Sequence, residues 1–211
     1  MTKRSYGQDC ALALGLDVIG ERWTLLIIRG LLTGPKRYSE LLDQLPGIGT
    51  NLLATRLREL VEHGIARKTD EGYELTESGE ALRPIVHALI RWGHRFRHLA
   101  PDVALSRPEW DMLALEAAFR PERAGGVDCI IDLTLSGYRF HIVIRDRTAR
   151  CLAGAASGNA DATATTTTQT LIAIGDGQLS LGEAVESGKL DLHGSRTAFK
   201  QLFRLFELPA D

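Results

Sequence analysis

Asn51, Thr55 and Arg58 stand four and three residues apart, so on a helix they share one stripe, and their side chains suit recognition of base edges. The Asn amide matches the donor and acceptor of adenine, the Arg guanidinium matches the two acceptors of guanine, and the methyls of Thr55 and Ala54 can meet that of thymine. Lys36, Arg37, Ser39 and Thr50 complete this candidate DNA-binding set, and Arg67 and Lys68 downstream are placed to meet phosphates. The opposite stripe is apolar, with Leu53, Leu57, Leu60 and Val61. An ordinary amphipathic surface helix accounts for the same two stripes, so the neighbouring elements must decide.

Those neighbours follow in a telling order. Gly34-Pro35 breaks a preceding helix, and Ser39 is expected to cap a short helix whose apolar face is Leu41, Leu42 and Leu45. Pro46, Gly47 and Gly49 mark a tight turn, with Thr50 as the expected cap of the next helix, Thr50 to His63, which Gly64 ends. The segment IARKTDEGYELT then alternates like a small hairpin with Asp70, Glu71 and Gly72 as its turn. Helix, turn, helix and hairpin form a winged helix-turn-helix. The acidic hairpin tip repels a polyanion, so the wing is expected to contribute weakly.

The run CALALGLDVIGERWTLLIIRGLLTGPKRYSELLDQLPGIGTNLLATRLRELVEHGI, followed by LTESGEAL and Arg91-Trp92-Gly93, resembles the HxlR family of bacterial winged-helix transcription regulators, relatives of the MarR group. The resemblance implies a homodimer on a pseudo-palindromic operator, one recognition helix per half-site. Its interface would come from the helix around Cys10 to Ile19 and the segment Glu77 to Leu99. Leu82, Ile85, Val86, Leu89, Ile90, Trp92 and Phe96 independently ask for a partner surface, being too many apolar groups for a lone surface helix. The wing is shorter than the family's, and Ala11 follows Cys10 where a proline is usual. Some relatives use the early cysteine as a thiol switch, so the resemblance also makes Cys10 a candidate sensor of oxidants or electrophiles. A small buried apolar residue is the alternative, and Lys3 and Arg4 favour a thiolate only weakly.

A 211-residue chain with 44% hydrophobic residues suits two modest globular domains. Its net charge of −2 divides unevenly. Residues 1–99 carry 14 Lys and Arg against 12 Asp and Glu, and residues 100–211 carry 11 against 15, so the first part is the polyanion partner. Three cysteines, Cys10, Cys129 and Cys151, make neither a disulfide framework nor a zinc site. No apolar run approaches the roughly 20 residues that span a bilayer, and the first ten residues lack a secretory core, so no membrane partner and a cytoplasmic location are expected.

Pro101 and Pro108 mark a linker, 100–107, between a domain at 1–99 and one at 108–211. After a short helix through Met112, Leu113, Leu115 and Phe119, strands are expected near Val127–Leu135, Tyr138–Arg145 and Ala149–Ala155, as an antiparallel sheet. A threonine-rich strand follows, then helices over Gln169–Ile174 and Leu181–Glu186, a strand over Lys189–Leu192 and a last helix. ADAT at 160–163, the helix end at Leu171 to Gly175, and AVESGKLDLHGSRTAF with LFRLF resemble the sterol carrier protein type 2 fold, a sheet with helices packed on one side. The resemblance implies an apolar-ligand pocket, with Leu171, Ile174, Leu181, Phe199, Leu202, Phe203 and Phe206 as its candidate lining. The same stripe equally seals a core.

His87, Arg91, His94 and His98 share a helical face, but the arginines and the missing acidic or thiol ligands disfavour a metal site. Gly175-Asp176-Gly177 lacks the spacing and Lys of a phosphate loop, and no nucleophile constellation stands out. The expectation is therefore an α+β, non-enzymatic, cofactor-free DNA-binding regulator with a possible apolar effector. The rival is an apolar-ligand carrier or structural module whose winged helix only dimerises.

Overall fold

Leucine and isoleucine recur at helical spacing from Thr24 to Leu60, and burying them builds the first part of the molecule. The computed structural model describes residues 5–99 and 107–207, with only the backbone for Arg97. It is α+β and divides into two compact units, residues 1–88 and 89–211. Residues 100–106 of the expected linker, and Lys3 and Arg4, lie outside the described residues. Among the described residues no helix is long and apolar enough to cross a membrane.

The first unit runs α1 (Ala11–Ile19), α2 (Thr24–Leu32), α3 (Tyr38–Gln44), α4 (Thr50–Glu62), β1 (Ala66–Thr69), β2 (Gly72–Leu75) and α5 (Glu77–Glu80) into α6 (Arg83–Gly93). Ile27, Ile28 and Leu31 of α2, Leu41 of α3, and Leu53, Leu57 and Leu60 of α4 are at most 2% exposed. Each such side chain contributes roughly 1.5–3 kcal/mol by leaving water. The α2–α3 approach is close: a methyl on Gly30 would meet Gln44 Oε1 at 2.9 Å and Leu41 Cδ2 at 3.1 Å.

Several local expectations are corrected. Arg37, not Ser39, occupies the N-cap of α3, because Glu40 reaches back to accept the Arg37 N–H at 2.6 Å. Gly49 takes the cap position of α4, and Thr50 is its first helical residue. Val61 is 39% exposed, since eight residues from Leu53 carries it about 80° off the buried stripe. Gly72 belongs to β2, so the wing turns on Asp70 and Glu71 alone. The expected single segment 77–99 is three pieces: α5, α6, and a 3-10 turn over His94–Leu99. Pro84 explains the first break, having no N–H for the Glu80 carbonyl. The 3-10 geometry also moves His94 and His98 off a common face.

Arg83 locks α6 to the unit. It is 7% exposed, donates to the Leu32 carbonyl at 2.8 Å at the C-terminal end of α2, and pairs with Glu80 at 3.0 Å.

The second unit runs α7 (Pro108–Ala118), β3 (Cys129–Leu135), β4 (Tyr138–Arg145), β5 (Thr148–Ala153), β6 (Ala162–Thr166), α8 (Thr168–Gly175), α9 (Leu181–Glu186), β7 (Asp191–Gly194) and α10 (Arg196–Leu205). Sheet order is β5-β4-β3-β6-β7. The β3–β4 and β4–β5 loops are two residues long, Ser136-Gly137 and Asp146-Arg147, all four at positive φ as tight hairpins of right-twisted strands require. Strands β3, β4 and β5 pair antiparallel as expected, and the sheet becomes mixed at β6, which returns on the far side of β3 and runs parallel to it, entered by Asp161, whose carboxylate accepts the Ile130 N–H at 2.8 Å. Strand β7 starts two residues later than expected, because the Leu190 N–H is held by the Ala184 carbonyl at 3.0 Å. Ile131, Leu133, Phe140, Ile142 and Ile144 join Phe199, Leu202 and Leu205 of α10 in the core. The other face of β3 and β4 carries Asp132, Arg139 and His141, with Arg139 on Asp132 at 3.1 Å.

Two glycines at positive φ separate crowding from backbone strain. Gly64 (φ +67°) faces open space, so Gly64→Ala should cost only the left-handed conformation, about 1–2 kcal/mol. Gly72 (φ +136°) lies under the Lys36–Arg37 peptide, and a methyl there would sit 2.7 Å from the Lys36 carbonyl carbon and 2.9 Å from the Arg37 nitrogen. Gly72→Ala should lose on the order of 3 kcal/mol or more in denaturant melts. Equal losses at the two sites would refute the close approach.

Candidate nucleic-acid interface

The leucine stripe decides which side of α4 faces out. With Leu53, Leu57 and Leu60 buried and α4 in contact with β1, the residues half a turn away are left toward solvent. Thr50, Asn51 and Arg58 are exposed, and Ala54 and Thr55 half-buried. They lie together on α4. Tyr38 of α3 donates its hydroxyl to the Thr50 carbonyl at 2.8 Å, holding the start of α4 against α3. Gly49 at the cap has no side chain to offer the first free N–H groups of α4.

Lys36 is half-buried, and Arg37 and Ser39 are exposed beside the start of α3. Lys36 exchanges two backbone hydrogen bonds with Tyr73 of β2, at 2.9 and 2.8 Å, so the wing is stitched to the entry of the helix-turn-helix. Arg67 and Lys68 are exposed on β1. The Arg67 guanidinium meets Glu74 across the hairpin at 2.6 Å with its side chain 66% exposed. An open pair of this kind is worth under about 1 kcal/mol, weak enough for a phosphate to compete.

Arg56 was not singled out by sequence. It turns inward, 14% exposed, pairing with Glu21 before α2 and Glu59 on α4 at 2.7 Å each. It ties α4 to the α1–α2 junction, and its i,i+3 spacing to Glu59 was the available signal.

Two helices show apolar faces to solvent. Leu12, Leu14 and Leu16 of α1 are 71%, 54% and 39% exposed; on α6, Ile85, Leu89 and Trp92 are 50%, 44% and 55% exposed at spacings of four and three. Trp92 also stacks on Phe96, centroids 4.8 Å apart.

Cys10 is exposed and sits at the N-cap of α1. The Ala13 and Leu12 backbone N–H groups hold its thiol below the ordinary value. Cys129 is buried, and burial, then Asp161 and Asp128, push it up.

In the second unit the expected ligand residues divide. Phe199, Leu202 and Phe206 are buried in the core, whereas Leu171, Ile174, Leu181 and Phe203 are half-buried against it. Phe199 and Phe203 meet edge to face, centroids 5.8 Å apart.

A buried-leucine helix with a polar outer stripe, preceded by a short helix and a tight turn and followed by a hairpin, defines a DNA-binding transcription regulator. Residues 18–100 match the HxlR-like helix-turn-helix family. Over 92 residues the chain is 38% identical to the HTH-type transcriptional regulator YkvN of Bacillus subtilis strain 168, covering 40% of this chain and 78% of that protein. Over 87 residues it is 35% identical to the regulator YodB of the same organism, covering 38% and 78%. The crystal structure of quinone-bound YodB aligns at 35% identity over 41% of this chain and 99% of that one, TM-score 0.38. The chain belongs to the HxlR-like helix-turn-helix family. Residues 110–211 match the alkyl sulfatase C-terminal family, where the sequence resemblance had pointed to sterol carrier protein type 2.

The thiols give a direct check. Iodoacetamide should alkylate Cys10 first in the native chain, with a rate midpoint at lower pH than the same thiol shows in urea, because a depressed pKa supplies thiolate earlier as pH rises. A native midpoint at or above the urea value would contradict the helix-end effect.

Proposed function

We propose that the chain is a cytoplasmic homodimeric regulator that reads a pseudo-palindromic operator through α4. Asn51, Thr55 and Arg58 meet base edges, with Ala54 beside them. Lys36, Arg37, Ser39, Thr50, Arg67 and Lys68 meet the backbone, joined by the uncapped N–H groups at the start of α4. The observation that carries this reading is the two-sided character of α4, fully buried leucines on one stripe and exposed Asn51 and Arg58 on the other. Dimerisation through α1 and α6 is supported by their exposed leucines, Ile85 and Trp92, a larger apolar surface than a solvated helix keeps.

The second unit is proposed as a non-enzymatic effector module. The half-buried Leu171, Ile174, Leu181 and Phe203 favour an apolar ligand, and the buried Phe199, Leu202 and Phe206 would form its floor. Cys10 offers another input: its lowered pKa and exposure favour reaction with oxidants or electrophiles, and a relative, YodB, is known as a quinone-bound structure. If the second unit acts alone, the chain is instead an apolar-ligand carrier whose winged helix dimerises.

Fluorescence anisotropy on operator and scrambled duplexes separates these readings. Arg58→Ala should cost about 1–3 kcal/mol on the operator and relax its preference, while Lys68→Ala should weaken both duplexes alike and reduce the salt slope by about one. Absence of binding to any duplex at low salt would favour the carrier.

A further inference from the structure

The boundary between the two units falls inside α6, between Ala88 and Leu89. Its first residue, Arg83, is tied to the Leu32 carbonyl in the winged-helix unit. Its last turn carries Arg91, whose Nη1 donates to the Ala117 carbonyl of α7 at 2.9 Å.

That carbonyl has no other route to a backbone donor within its own helix. Ala117 is 1% exposed, so water does not readily serve it. The residue four ahead is Pro121, which has no N–H, and three ahead the Arg120 N–H is taken by the Leu205 carbonyl at 2.8 Å. The carbonyl lies at the negative end of α7, where a cation is favoured. Around it the unit is closely held: Glu207 donates its N–H to Ala118 at 2.9 Å, Phe119 stacks on Phe206 at 5.3 Å, and Glu116 accepts the Cys151 N–H of β5 at 2.7 Å.

We infer that Arg91 is a coupling latch, a positioning residue through which the second unit's core restrains the last turn of α6. Events that loosen the α7–α10 junction reach the last turn of α6 through this guanidinium. The latch itself does not depend on DNA; its effect on operator affinity rests on the regulator reading above.

The test is amide hydrogen exchange of residues 89–93 in the full chain, with and without Leu205→Val, which loosens a fully buried position beside the junction. In the parent, Leu205→Val should speed exchange there roughly fivefold. In an Arg91→Ala background it should add nothing, and Arg91→Lys, which keeps a donor and the charge, should restore part of the response. Equal acceleration with and without Arg91, or none in the parent, overturns the latch. A purely structural role for Arg91 would shift the baseline and leave the Leu205→Val increment intact. A parent that binds no DNA, with the exchange pattern as expected, would remove the regulator reading and leave the latch standing.

Discussion

Leu53, Leu57 and Leu60 are 0%, 0% and 1% exposed, and the orientation of the whole candidate interface depends on that stripe. A helix with one apolar stripe has one low-energy way to face a core, so burying these leucines turns Asn51 and Arg58 outward. Other contacts refine that orientation. Tyr38 on the Thr50 carbonyl, Arg56 between Glu21 and Glu59, and the Lys36–Tyr73 pairing hold the start of α4, its middle and the wing. None would orient the helix if the stripe were polar.

Much of this was legible because period and punctuation agree. Gly34-Pro35, the Pro46-Gly47 turn and Gly64 bound α3 and α4, and the leucine spacing assigns their faces. The caps were misread because capping depends on where a side chain reaches: Glu40 could claim the Arg37 N–H only once the backbone had turned. Pro84 could have signalled the break before α6, but the apolar period continues across it and masked the proline. The parallel β3–β6 pairing was invisible for another reason. Strand order is a long-range property, and hairpin-sized loops announce only the neighbours in sequence.

The second unit illustrates how residue type fails to separate a core from a pocket. Phe199 and Phe203 sit four residues apart on α10, yet one is completely buried and the other half-buried, a difference made by the sheet and helices around them. The sequence resemblance placed both in an apolar lining. The same holds for Arg91, whose sequence neighbours suggested a histidine face and whose contact is a carbonyl that Pro121 leaves without a helical donor.

The central claim is that two copies present α4 to two half-sites. Footprinting of the intergenic DNA beside the coding gene tests it most directly. The account predicts two protected half-sites of related, inverted sequence with centres about one helical turn, roughly 10 base pairs, or a multiple of it apart. Protection of a single site without a mate, or no protection at low salt, would contradict it.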